Sequence, residues 1–547
     1  MGQAESTDFS KCLKCHEGIK HLDTDHAFAC EQCHLLPGNR RQRLQTHDVV
    51  VRHPAALSNA PTFCAPCHEN EINTFKNSLH YTLAGIINQT RYLWGAQEDA
   101  YPRYSASSHE ILNALPPSPS SVQSPADLVD DLLRRKCLAC HTEKAPIQRN
   151  GFFRGLGCAA CHILYENDGI YRGNDRAMQG KQGYPKYHRF CTPIPVRQCQ
   201  HCHNGHRVGA DYTGLYEHDY HQSYRTPISN GTMPRRTYLM DHHQLRPDVH
   251  LERGLLCVDC HRQEDVMGKG DLLGHQQEAV NIRCKHCHVS VKSDKNKVSH
   301  PGIKNDLFCS RRQQSYLLPT YDQSVTAHAI PQMANVHCVG CHSAWAFADY
   351  GPSLLRDDRE DLSQWAPWRL QGDAGVADRF DEQGRFLNLS TGPGPWFVGW
   401  RFRRWEFLTL GIDIEGRVVP FRPRYQYQVS YVTRHGRVVL DNIVPQRGDQ
   451  SGPGWAFMPF YPHTIVKRGR PCEACHGQSL AAGRGLWEGN RPDLYLTLPS
   501  PPVYSPLKLL SEKQRLKIMK KTPAFRQWRF KSLLQDNHGA RVPIDDD

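Results

Sequence analysis

The 547-residue sequence has no run of 18 or more apolar residues, so no membrane-spanning helix is expected. Methionine is scarce, with eight copies. The opening stretch MGQAESTDFSKC lacks an apolar segment, so no signal peptide is expected within it. Acidic residues fall short of basic ones, 55 against 67, which leaves a formal net charge of +12. Apolar residues are not lacking: at 39 % hydrophobic the chain differs from disordered sequences. The length suggests two to four domains. What is present in excess is cysteine, with 22 copies, and histidine, with 32. That cysteine content is too high for an ordinary cytosolic enzyme and too low for a small disulfide scaffold. The combination points to a metal or cofactor framework.

Twenty of the 22 cysteines fall into one pattern, Cys-x-x-Cys-His. The ten copies pair Cys12 with Cys15, Cys30 with Cys33, Cys64 with Cys67, Cys137 with Cys140, and Cys158 with Cys161. They continue with Cys199 and Cys202, Cys257 and Cys260, Cys284 and Cys287, Cys338 and Cys341, and Cys472 and Cys475. Each ends in a histidine: His16, His34, His68, His141, His162, His203, His261, His288, His342 and His476. Only Cys191 and Cys309 remain, either as a disulfide or as free thiols. One copy alone reads equally as a zinc half-site or a redox dithiol. Zinc does not require a histidine directly after the second cysteine, whereas covalent haem c attachment does. Two thiols take the two vinyl groups as thioethers, and the adjacent imidazole reaches the iron.

On these motifs the chain resembles the multihaem c-type cytochromes over nearly its whole length. Four stretches also resemble a group of large exported multihaem cytochromes: SLHYTLAGIINQTRYLWGAQ (78–97), GCAACHILYENDGIYRG (157–173), IPVRQCQHCHN (194–204) and DVHLERGLLCVDCHRQEDVMG (248–268). The resemblance implies ten covalent haems c and a mainly α and irregular multihaem cytochrome c fold, with short helices organised around the haems. It also implies a periplasmic or extracellular place, since such proteins mature outside the cytoplasmic membrane.

Removing the motif histidines leaves 22, enough to give every iron a second imidazole. His26, His188, His250, His275, His328 and His463 each lie shortly before a motif, where they reach a neighbouring haem more easily than their own. His80 lies on a helical-looking stretch after His68, a placement similar to nitrite-reductase-like and hydroxylamine-oxidoreductase-like cytochromes. These seven are the expected distal ligands. His21, His47, His53, His109, His221, His242, His243 and His300 stand open between ligand and ordinary polar side chain. His201 and His286 lie inside motif loops and His337 directly precedes one, so these three are not expected to ligate. Bis-histidine ligation favours lower potentials than Met/His ligation.

Residues 1–115 form a three-haem region, and 116–127, rich in Pro and Ser, a linker or loop. Residues 128–350 carry six motifs, entered through a short helix over 128–135. The protein between them is too thin for conventional cores, so each haem acts as a core element. Residues 351–450 hold no motif and are rich in Trp. Alternation at Tyr425, Tyr427, Val429 and Tyr431, with Gly-Arg turns at 382–386, 414–419 and 434–439, predicts a small antiparallel β subdomain before the last haem. Residues 451–500 carry the last motif, and 501–547 read as a basic helical tail.

Cofactors would absorb much of the positive charge. Ten oxidised haems with ionised propionates add roughly −10, and ten reduced haems roughly −20. Nucleic acid is therefore not needed to explain the balance. The expected function is electron transfer through the haem array between redox protein partners. Two alternatives stand beside it. One is oxidation or reduction of a small nitrogen or sulfur compound at a haem lacking a distal ligand; no motif carries the Lys that marks ammonia-forming nitrite reductases. The other is a self-associating filament subunit, or a subunit of a membrane redox complex. No catalytic residue is assigned.

Overall fold

The structure is a computed structural model. It describes residues 10–39, 47, 49–145, 151–166, 168–181, 188–204, 209–217, 242–289, 300–304, 307–344, 350–362, 394–402, 409–413, 415–423, 427–454, 457–476 and 508–509. None of its helices is long and apolar enough to cross a membrane, among the described residues.

The largest apolar core gathers around two short helices. Ala84–Leu93 buries Ile87, Tyr92 and Leu93 along one side. Leu83, at φ 49°, provides the left-handed corner between this helix and Leu79–Thr82. Val129–Leu132 buries Val129 and Leu132 and runs straight into a π-helical turn, Leu133–Cys137. The Pro/Ser-rich segment before it ends in an Asx-type cap. The Asp127 carboxylate accepts from the Gln123 and Ser124 N–H groups at 2.9 and 2.8 Å. This cap turns the exposed chain inward at Leu128, which is fully buried. Arg91 and Asp130 form a buried ion pair across the two helices. The Arg91 guanidinium also donates to the Ala96 carbonyl at 3.0 Å and lies 4.2 Å from the Tyr104 ring centre.

Two four-stranded sheets follow. The first runs Val438–Ile443, Gln428–Val432, Tyr350–Asp357, Trp396–Phe402. Its central pairing, Gln428–Val432 on Tyr350–Asp357, is parallel. A purely antiparallel subdomain is therefore not what forms, because the chain returns to that edge by a long connection rather than a hairpin. The second sheet runs Phe457–Pro459, Val418–Pro423, Thr409–Ile412, Lys508–Leu509. Two of the expected turns are hairpin turns. Gly416 (φ 77°) joins Thr409–Ile412 to Val418–Pro423, and Gly436 (φ 78°) joins Gln428–Val432 to Val438–Ile443. The 382–386 turn, and the basic tail apart from Lys508–Leu509, lie outside the described residues.

The first sheet shares the core of the helices: Leu354, Trp396, Val429, Tyr431 and Leu440 pack with Leu128, Leu132 and Leu133. The Trp396 indole N–H donates to Asp131 at 2.7 Å and is 1 % exposed. The sheet is thus continuous with residues 83–138. Elsewhere most motif-bearing runs are four- to five-residue helices joined by turns, and Ala65–Lys76, which carries the Cys67–His68 end of its motif and is kinked at His68, is the longest described helical stretch.

Candidate cofactor sites

To hold a haem, each Cys-x-x-Cys-His stretch would need its two thiols and its imidazole on one side of a single turn. An α-turn supplies this, because positions i, i+3 and i+4 share a face. The backbone follows it: the motif histidine N–H bonds to the first cysteine's carbonyl at 2.9 Å for His16, 2.8 Å for His68, 3.0 Å for His162, 2.9 Å for His203, 2.8 Å for His261 and 2.9 Å for His288. His34 and His342 end the helices Cys30–His34 and Cys338–His342. The Cys137 copy is wound differently. It follows the π turn, and His141 N–H bonds to the Leu138 carbonyl at 3.1 Å.

The imidazoles meet in twos. Motif histidines face non-motif histidines with ring centres 6.2 Å apart for His16 and His47, 6.0 Å for His68 and His26, and 6.4 Å for His34 and His188. The separation is 6.0 Å for His203 and His80, 6.1 Å for His288 and His250, 6.1 Å for His261 and His463, and 6.1 Å for His342 and His328. With imidazole nitrogen about 2 Å from a bound metal, two imidazoles on opposite sides of one ion place their ring centres about 6 Å apart. The spacing is too wide for direct ring stacking and fits an atom between the rings. Among the described residues no cluster of three or more His, Cys, Asp or Glu forms a metal cage.

Nine of these rings are also held through Nδ1. His34 Nδ1 donates to the Val51 carbonyl at 2.9 Å, His80 to Val266 at 2.9 Å and His188 to Lys20 at 2.9 Å. His288, His328 and His463 do likewise to Pro319 (2.8 Å), Asp322 (2.8 Å) and Tyr461 (3.1 Å). Carboxylates hold three more: Asp175 on His16 at 2.9 Å, Asp23 on His26 at 2.7 Å and Asp248 on His250 at 2.8 Å. A proton fixed on Nδ1 selects the tautomer whose Nε2 lone pair can bind a metal. Burial also pushes the His80, His188 and His463 imidazoles below their ordinary value, which favours the neutral, ligating form.

Three motif histidines stand outside this set. His162 donates through Nδ1 to the Cys191 carbonyl at 3.1 Å and lies edge-on to Phe190. His141 is buried, and its Nε2 faces the Tyr81 carbonyl at 2.7 Å and Ser107 Oγ at 2.8 Å. The side chain of His476 is outside the described residues.

Six of the seven expected distal histidines therefore pair with a motif imidazole; five pair with a motif other than their nearest in sequence, whereas His328 pairs with His342 of the very motif it precedes, against the expectation that it would reach a neighbouring one. The His275 Nδ1 accepts from the Gln277 N–H at 3.2 Å, as a helix cap would. Among the histidines left open, His47 joins the paired set. His109 accepts at Nδ1 from the Ile111 and Leu112 N–H groups and bonds Asn77 through Nε2. His300 accepts at Nδ1 from the Gly302 N–H at 3.0 Å, and its buried Nε2 has no hydrogen-bond partner. Burial pushes His53 below its ordinary value. His221 and the side chains of His242 and His243 lie outside the described residues. His286 and His337 accept backbone N–H groups at Nδ1, from Arg283 and Val339. His201 is 1 % exposed with both ring nitrogens unpartnered among the described residues, and burial beside Arg154 and Arg197 pushes it down to about 3.

Sequence reasoning missed the carboxylates. Asp23 three residues before His26, and Asp248 two before His250, are local signals that could have been read; Asp175, far from His16, carries none. Cys191 and Cys309 are both free thiols. Cys191 is buried and donates to the Pro193 carbonyl, while Cys309 is exposed. No family model, curated protein or solved structure matches the chain.

Proposed function

We propose that the protein is a decahaem c-type cytochrome that carries electrons between redox protein partners in the periplasm or outside the cell. The observation that carries the reading is the set of seven motif-to-free histidine pairs at 6.0–6.4 Å, each beside a Cys-x-x-Cys pair. The cysteine pairs would hold the haems as thioethers, and the paired imidazoles would ligate the irons from both sides. When bound, the haems supply reversible one-electron exchange. The chain's residues set its terms. Nδ1 anchors fix imidazole orientation, and carboxylate anchors on His16, His26 and His250 make those imidazoles more basic than carbonyl anchors do. Two neutral imidazoles per iron favour low potentials.

The test is the mass of the denatured protein, expected to include ten covalent haems. A bare-chain mass sinks the reading. In the loaded protein, His463→Ala should turn one low-spin ferric haem high-spin in low-temperature EPR, and an unchanged spectrum would refute that ligand. A high-spin, ligand-binding population in the unsubstituted protein would favour the catalytic alternative.

A further inference from the structure

The ten motifs lie in a definite spatial order, visible in which thiols meet. The Cys12 and Cys30 thiols are near neighbours, and Cys33 lies beside Cys64. The next neighbour of Cys64 is Cys158, not Cys137. Cys64 and Cys158 pack on one apolar cluster with Leu57, Ala60 and Phe75, and the Cys158 N–H bonds to the Ala55 carbonyl at 3.0 Å. From there the Gln198 amide donates to the Ala160 and Ile163 carbonyls at 3.1 and 2.7 Å, clamping the Cys158 and Cys199 turns together. The Cys199 and Cys257 thiols are in contact beside Val196 and Leu256. Cys260 neighbours Cys287, and Cys284 contacts Cys338. The Arg470 N–H bonds to the Cys341 carbonyl at 2.8 Å and brings the last motif alongside.

The Cys137 motif is bypassed by this run and joins it from the side. The Cys202 thiol donates to the Cys140 carbonyl at 3.3 Å. Cys137 itself packs against the main apolar core beside Leu133 and Leu138. The distinct winding of this motif has a cause in the fold, since the π turn Leu133–Cys137 continues a helix anchored in that core. Haems held by neighbouring cysteines would be neighbours themselves.

Resting on the haem reading above, we propose that the haems follow one another in chain order as a line of nine, except that the Cys137 haem is lifted out and hangs as a single side arm from the Cys199 haem. The Cys199 haem is then the one junction with three neighbours, and the side-arm haem is seated between that junction and the protein core.

Iron positions in an experimental structure of the loaded protein test this directly. The Cys137-site iron should have the Cys199-site iron as its nearest, and the latter should have three near irons. A Cys137-site iron lying between those of the Cys64 and Cys158 sites would overturn the proposal. The absence of covalent haem would instead overturn the underlying reading. Haem counting by denatured mass supplies a second readout. C137A/C140A should leave nine haems, because the core supports the vacated end of the arm. C199A/C202A should leave fewer than nine, because three neighbouring sites lose their packing partner. Equal losses, or the reverse order, would overturn the assignment.

Discussion

Residues 83–138 with the first sheet, and the motif-bearing runs on either side, are built on opposite principles. The first region closes a protein core: Ile87, Trp94, Leu128, Leu133 and Trp396 are each 1 % exposed or less. Its buried charges are paired, as in Arg91–Asp130. The second region has short turns, half-buried thiols and imidazoles that meet across gaps of about 6 Å. A region of the first kind holds itself by apolar burial, whereas on the proposed reading the second would be completed by haem.

The largest test of that contrast is the chain prepared without haem. Hydrogen exchange should remain slow at Ile87, Leu132 and Val429 and become fast through residues 249–289 and 307–342. Uniform protection would abolish the distinction. Next, Asp130→Asn should cost about 3–5 kcal/mol in chemical unfolding, because it strands the buried Arg91 guanidinium. The haem count should not change. Trp396→Phe keeps the ring but leaves Asp131 without the indole donor, and should cost about 1–3 kcal/mol. The smallest effect concerns acid. Burial holds His300 below the ordinary histidine value of about 6.5, so the unfolded chain binds that proton more tightly. Its contribution is complete above that value and declines as pH falls below it. His300→Gln should make the acid limb of stability shallower, measured as Tm against pH.

Much of the site was legible because its chemistry is local. The Cys-x-x-Cys-His spacing coincides with one helical turn, so the motif describes its own geometry. The hairpin turns at Gly416 and Gly436 were legible for the same reason, since positive φ at a turn is a demand on one residue. The parallel pairing of Gln428–Val432 with Tyr350–Asp357 was not legible, because nothing within either strand states which partner it takes. Position before a motif suggested His26 and His328 alike, yet His26 meets His68 of another motif while His328 meets His342 of the motif it precedes. Which imidazole such a ring meets depends on where distant turns lie.

The sequence by itself determined which residues are chemically equipped: ten thiol pairs, their adjacent imidazoles and a surplus of histidine. Those requirements span five residues and are satisfied within one turn of backbone. Only the tertiary structure decided the partners. His463 meets His261 across about two hundred residues, Cys64 passes over Cys137 to reach Cys158, and the Trp-rich sheet shares the helices' core. These meetings arise from packing between remote segments, which follows from the shape of the whole chain and is written in no single stretch of it.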